Sequence, residues 1–145
     1  MNENSLNKEE LSRALQKLTL HIQKSPLAVI DWDKDFCVAE WNPAAEEIFG
    51  YSKEEAIGQH ASFIIPKAHH KHVHLVWNEL LKNNGGTRST NENITKDGKS
   101  ISCEWFNTPI IDEFGTVLTV SSLAQDVSEQ VHYLKSLQYQ ANHDS

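Results

Sequence analysis

The chain is poor in cysteine: Cys37 and Cys103 are its only two, far apart and in no Cys-x-x-Cys pair. That spacing argues against a disulfide-stapled fold and fits a reducing compartment. Long hydrophobic runs are absent, and no segment approaches the roughly 18 apolar residues that a membrane-spanning helix needs. Residues 1–10 are polar and acidic, unlike a secretory leader. These features predict a cytoplasmic location, with no membrane contact by this segment. Basic blocks are missing too, and the net charge is -7. Without a basic patch there is little to hold a phosphate backbone, so nucleic acid is not an expected partner. Catalytic motifs are also lacking. There is no phosphate-cradling glycine loop, nucleophile elbow or zinc-hydrolase motif. The pairs Glu46-Glu47 and Glu54-Glu55 fall on short helices, where acidic residues near the N-terminus are expected anyway. The chain reads as a non-enzyme.

What is present is ordinary globular material. The 145 residues are 39% hydrophobic and 23% charged, enough for one packed domain. Leu11, Leu15, Leu18 and Ile22 recur at helical spacing and form a narrow apolar stripe, which Ser25-Pro26 ends. From Leu27 the period changes. Residues 27–30 and 36–41 predict a β-hairpin around a turn at 31–35. Asn42-Pro43 starts a helix over 43–49 that Gly50 stops. Ser52-Lys-Glu-Glu55 is a capping box opening a second short helix. A longer helix is predicted from about His69 to Asn83, with Asn84-Gly85-Gly86 as its stop. Three strands follow, over 87–95, 100–111 and 116–127, with tight turns at 96–99 and 112–115. A helix over 128–140 closes the pattern, with Val127, Val131, Leu134 and Ala141 on one stripe.

This order predicts an α+β fold: a five-stranded antiparallel sheet with short helices on one face and amphipathic helices at both ends. Residues 1–25 are the first flanking helix, 26–127 the core and 128–145 a linker helix. Such a core can enclose a pocket between sheet and helices. The two end stripes, Leu11-Leu15-Leu18-Ile22 and Val131-Leu134, need a cover, and a second copy of the chain is the expected one.

The residues then resemble a known family. Trp41-Asn-Pro-Ala-Ala-Glu-Glu-Ile-Phe-Gly-Tyr51 is similar to the PAS "N-x-A" segment that ends in Gly-Tyr, and Glu54-Glu-Ala-Ile-Gly58 to its continuation. Ile64-Ile-Pro66, Lys96-Asp-Gly-Lys99 and Asp126-Val-Ser-Glu129 match the family's later landmarks in order. The resemblance covers about residues 26–130. It implies a bacterial sensory domain: a small ligand or cofactor between sheet and helices, a homodimer, and transmission through the flanking helices. The tail from Tyr139 resembles the linker that leads from a PAS domain into a GGDEF diguanylate cyclase domain.

Candidate ligand contacts follow from strand parity. Cys103, Trp105 and Asn107 share the face of Ile101, Asn91 and Asn93 share a face of the preceding strand, and Ser122 shares one with Ala124. Inward amides need a ligand, ordered water or each other, because a buried amide without a partner costs about 1–3 kcal/mol. Trp77 and Trp105 are candidate stacking platforms, and His72 a further contact. His69, His70, His72 and His74 have metal-ligand spacing but no third ligand nearby, so they read as a helix surface without a metal. The resemblance leaves the cofactor open between flavin, haem and neither. The position that holds a haem iron in oxygen-sensing relatives is Val73 here, flanked by His72 and His74. Where photosensory relatives carry a reactive cysteine, this chain has Ala61. A non-covalent FAD would use Asn91, Asn93, Trp105 and Asn107. The alternative is a ligand-free dimerisation spacer.

Overall fold

A computed structural model describes residues 7–82 and 86–143. Asn7 caps the first helix, α1 (Lys8–Lys24), by accepting from the Glu9 amide at 2.9 Å. No residue of α1 is buried, and Leu11, Leu15 and Leu18 are 45%, 56% and 57% exposed. Ile22 is half-buried. Helices in water gain most of their stability from packing an apolar face, so α1 presents a face still to be covered.

Five strands follow the predicted order: β1 (Ala28–Trp32), β2 (Val38–Trp41), β3 (Thr87–Ile94), β4 (Ser100–Ile111) and β5 (Val117–Asp126). They form one sheet in the order β2-β1-β5-β4-β3, and every described neighbouring pair is antiparallel. The alternation of β4 holds as read: Ile101, Cys103 and Trp105 are buried on its inner face. The turn predicted at 31–35 is a correction. Asp31 and Trp32 belong to β1, because Ala28, Ile30 and Trp32 alternate inward and are all buried. The run of aspartates hid that period. The turn begins at Asp33, whose carboxylate accepts from the amides of Asp35 and Cys37. Phe36 in this turn takes a left-handed backbone, φ +63°. For a bulky side chain that costs on the order of 1–2 kcal/mol, so its surroundings must hold it there.

The helical layer covers one face of the sheet. Asn42 caps α2 (Pro43–Phe49), Pro43 fills its first turn, and Gly50 ends it at φ +82°, where a side chain would be strained. Ser52 and Glu55 form the predicted capping box on α3 (Lys53–Ala56). Two single 3-10 turns, Ala61–Ile64 and Lys67–His69, lead into α4 (His70–Leu81), which buries Trp77 and Leu80. The predicted end of this helix at Asn83, and Asn84-Gly85 of its stop, lie outside the described residues. Gly86 lies beside β4: a Cβ there would meet the Asn107 carbonyl oxygen at 2.9 Å, so only glycine fits without a shift. The last helix, α5 (Ser128–His143), runs three residues past the predicted Gln140. Val127 precedes it and donates to the Ser102 carbonyl at 2.8 Å, tying the start of α5 to β4. Ala141 is exposed.

Candidate functional site: a cavity between the sheet and the helical layer

The inner space of the domain is filled on one side and open on the other. Below β1 and β2, Ile30, Trp41, Ala45 and Phe49 are packed with almost no exposure. Below β3 and β4 lies a cavity of about 310 Å³. Four aromatic rings line it: Trp32 from β1, Phe36 from the turn, Trp77 from α4 and Trp105 from β4. Phe36 stacks flat on Trp77 with centroids 4.1 Å apart and meets Trp32 edge-on at 5.3 Å. This stacking supports Phe36 in its unfavourable backbone state, together with its own backbone bonds, its N–H to the Asp33 carbonyl at 3.1 Å and its carbonyl from the Ala61 N–H at 2.9 Å. Ile64, Val73 and Leu80 supply aliphatic wall on the helical side.

The polar lining comes from β3 and β4. Ser89, Asn91 and Asn93 fall on one face of β3, and Asn107 reaches the cavity from β4. Two of these asparagines are largely satisfied by the protein itself. Asn93 accepts from Trp105 Nε1 at 2.9 Å and donates to the Ile64 carbonyl at 3.0 Å. Asn107 accepts from the Ser122 hydroxyl at 2.6 Å and donates to Thr87 Oγ1 at 3.0 Å. Ser122 in turn accepts from Trp32 Nε1 at 2.9 Å, so a hydrogen-bonded chain runs from β1 through β5 and β4 to β3. Asn91 is different. It donates to Ser89 Oγ at 3.0 Å, and no donor among the described residues reaches its carbonyl oxygen.

The sequence-derived site is therefore mostly assembled, with two corrections. Asn91, Asn93, Trp105, Asn107, Trp77 and His72 all line the cavity. Cys103 and Ser122 do not. Both are fully buried, and the inner face of the sheet continues past the cavity into packed core, so parity alone could not separate them. Cys103 pairs with Asn91 across β3 and β4 but is fully buried, and burial and then Asp126 push its thiol up to about 12, too high for a reactive thiolate. Ser122 acts one bond away, through Asn107. His72 is exposed and stands at the rim. Trp32, Phe36 and Ser89 were missed. Trp32 was hidden in the turn read at 31–35, and Phe36 opened the strand read over 36–41, which the structure begins only at Val38. Ser89 shares the two-residue period of Asn91 and Asn93 and was legible from it.

At the rim, His69 of the second 3-10 turn faces Glu92 of β3 at 3.4 Å. Glu92 is held below the usual carboxylate range by the Ser100 hydroxyl and then by His69. His70 bonds the Ile65 carbonyl at 2.7 Å and so braces the start of α4. Among the described residues no group of three or more His, Cys, Asp or Glu could hold a metal ion. A haem does not fit this lining: Val73 lines the cavity, and the histidines nearby in sequence that also line it, His69 and His72, are exposed at its rim. Covalent flavin chemistry does not fit either, since Ala61 lines the cavity and no cysteine does.

The chain matches the PAS fold family over residues 13–127. No curated protein matches it. Among solved structures, it is similar to the PAS domain of a Colwellia psychrerythraea protein, at 22% identity over 80% of this chain and 98% of that one, with a TM-score of 0.75. It is also similar to an RNA-binding Light-Oxygen-Voltage receptor, at 20% identity and a TM-score of 0.78, covering 98% of this chain but 40% of the receptor. A third likeness is to the PAS domain, in complex with ethanol, of a LuxR-family transcriptional regulator from Burkholderia thailandensis. That match has 12% identity over 76% of this chain and 96% of that one, with a TM-score of 0.66. At these identities the neighbours speak for the fold. With the family match spanning most of the chain, the conclusion is that the protein belongs to the PAS family of sensory domains.

Proposed function

We propose that this domain senses a small molecule bound in the cavity and passes the change to an output domain through its flanking helices, as a homodimer. The observation that carries the reading is the cavity itself. A packed interior leaves few voids larger than a water molecule, yet here about 310 Å³ is lined by aromatic rings and by Asn91, whose carbonyl oxygen no donor among the described residues reaches. The Burkholderia neighbour, whose structure holds ethanol, supports a ligand in this fold. The exposed stripes of α1 and α5 support the dimer: Leu11, Leu15, Leu18 and Leu134 are each close to half exposed or more. The hydrogen bond from Val127 to Ser102 supports transmission, since it couples β4, which carries Asn107, to the start of α5. The tail sequence supports an output domain of the GGDEF type following α5. Binding, not catalysis, is the proposed chemistry. No described helix is long and apolar enough to cross a membrane, and a cytoplasmic site of action is proposed.

A second reading, the ligand-free dimerisation spacer, draws on one observation. Asn93 and Asn107 already find protein partners, so much of the cavity lining is satisfied without a ligand. Purification from cells, an absorption spectrum and mass spectrometry of the denatured protein separate the two. A stoichiometric small molecule supports the sensor; repeated recovery of empty protein favours the spacer. Sedimentation at tens of micromolar tests the dimer, which Leu15→Glu should weaken. A strict monomer sinks it.

A further inference from the structure

One turn shape recurs among the described residues, at 33–37, 95–99 and 112–116. In each, the first residue donates its N–H to the fifth residue's carbonyl at 2.9 Å, and its own carbonyl accepts from the fourth residue's N–H at 2.9–3.1 Å. The fourth residue is left-handed every time: Phe36 at φ +63°, Gly98 at +82° and Gly115 at +83°. Glycine takes that conformation freely, whereas a residue with a Cβ takes it at a cost. The turn itself therefore works with glycine, and Phe36 is there for its ring. A backbone outlier of this kind points to function.

The ring stands between two spaces. One is the cavity of about 310 Å³, the other a groove of about 350 Å³, and Phe36, Ile65 and Val73 border both. Phe36 stacks on Trp77 of the cavity and meets His60 of the groove edge-on at 5.5 Å. The groove carries four basic side chains, His60, His70, Lys71 and His74, and no carboxylate, in a chain whose net charge is -7. The cavity is walled by aromatic rings and has no lysine or arginine; its one carboxylate, Glu92, faces His69 at the rim. We propose that Phe36 is a movable partition between two compartments of one ligand site, and that the site takes an aromatic carboxylic acid, its ring in the cavity and its acid arm in the groove. This rests on reading the cavity as a ligand site. Turning the Phe36 ring off Trp77 joins the compartments, and the ligand ring takes its place on the indole, where flat rings pack well. The charge goes with the arm because the groove offers it bases and no competing acid.

The test is calorimetry on the purified chain with three probes: indole, indole-3-butyrate and the uncharged amide of that acid. Indole-3-butyrate should bind roughly 3- to 10-fold more tightly than the amide, the worth of a charge met by partly exposed bases. Lys71→Ala should remove most of that preference. Phe36→Gly, which gives this turn the residue its two sister turns carry, should bind indole-3-butyrate roughly threefold more tightly or better, because no ring has to be displaced first. Indole, which fits the cavity with Phe36 in place, should respond less. Equal affinity for acid and amide, or a preference that Lys71→Ala leaves intact, overturns the groove as the seat of the acid. Unchanged or weaker binding of indole-3-butyrate by Phe36→Gly overturns the partition. In each of these cases binding of indole shows that the ligand site still stands. If Phe36→Gly does not fold, fluorine relaxation dispersion on the chain labelled with 4-fluorophenylalanine decides. The Phe36 signal, identified by its loss in Phe36→Leu, should exchange between two states, and a single fixed state overturns the partition. Silence from all three probes overturns the proposal, and a purified protein that is also empty overturns the ligand site with it.

Discussion

Two asparagines, one in each half of the domain, show how packing divides structural from binding polarity. Asn42, at the filled end, is 2% exposed and saturated. Its oxygen accepts from the Val29 and Ala45 amides, and its nitrogen donates to the Ile22 and Leu27 carbonyls, at 2.8–3.0 Å. It joins α1, β1 and α2 in one side chain and has nothing left for a ligand. Asn91, at the open end, makes a single side-chain hydrogen bond, to a neighbour on its own strand. The residue type is the same. What differs is whether backbone groups from other elements arrive to use its capacity. A saturated buried amide holds a fold together, and one with capacity left over can bind something else.

The comparison can be broken first at the filled end. Phe49 is fully buried and touches Trp41 and Trp105, with ring centroids at 5.5 Å and 5.9 Å. Phe49→Ala should cost about 3–5 kcal/mol in urea melts, whereas Val73→Ala, on the cavity wall, should cost well below that because its methyl groups already border open space. Equal losses would mean that the cavity collapses in solution. Next, Asn42→Ala should cost about 2–6 kcal/mol, since four bonds of roughly 0.5–1.5 kcal/mol net each go at once. Asn91→Leu should fall within about 0.5 kcal/mol of the parent. A large loss for Asn91→Leu would erase the distinction.

Asn107 is the intermediate case and sharpens the comparison. Asn107→Leu strands the Ser122 hydroxyl and Thr87 in one step. A loss of about 1–2 kcal/mol is expected from thermal melts, with Asn107→Asp retaining the acceptor and losing less. The smallest effect is at the surface. Glu55, outside the filled half, is held below the ordinary carboxylate range by the Lys96 ammonium and then by the Ser52 amide. A lowered folded value means that stability from this group is full above the unfolded carboxylate pKa of about 4.3 and fades as pH falls through the folded value. Glu55→Gln should leave the melting temperature nearly unchanged at acidic pH, below both values, and lower it slightly at neutral pH. Because both groups are exposed, the difference should shrink in high salt.

Most of the fold was legible because its signals are local. Asn42-Pro43, the Ser52–Glu55 capping box and the Lys96–Lys99 turn each act within a few residues, so their physics is written in adjacent letters. The alternation of Ile101, Cys103 and Trp105 likewise fixed which face of β4 points inward, and with it Asn107. The errors came where composition masked the period. The aspartates at 31, 33 and 35 made Trp32 look like part of a turn, although its side chain is 3% exposed and bonded to Ser122.

The sequence by itself determined the order of elements, the inward faces of β3 and β4, and the stripes that α1 and α5 carry, because each follows from a repeat of two or of 3.6 residues. Only the tertiary structure decided which inward residues meet a void and which meet one another. Cys103 and Asn107 share a face of one strand, yet one is packed and the other borders the cavity. Asn93 and Asn91 share a face of the next, yet only Asn91 keeps its oxygen free. Those outcomes depend on what arrives from the neighbouring strand, the Trp105 indole, and from the opposite layer, the Ile64 carbonyl and the Phe36–Trp77 stack, and the closure of elements distant in sequence is not encoded in any single period.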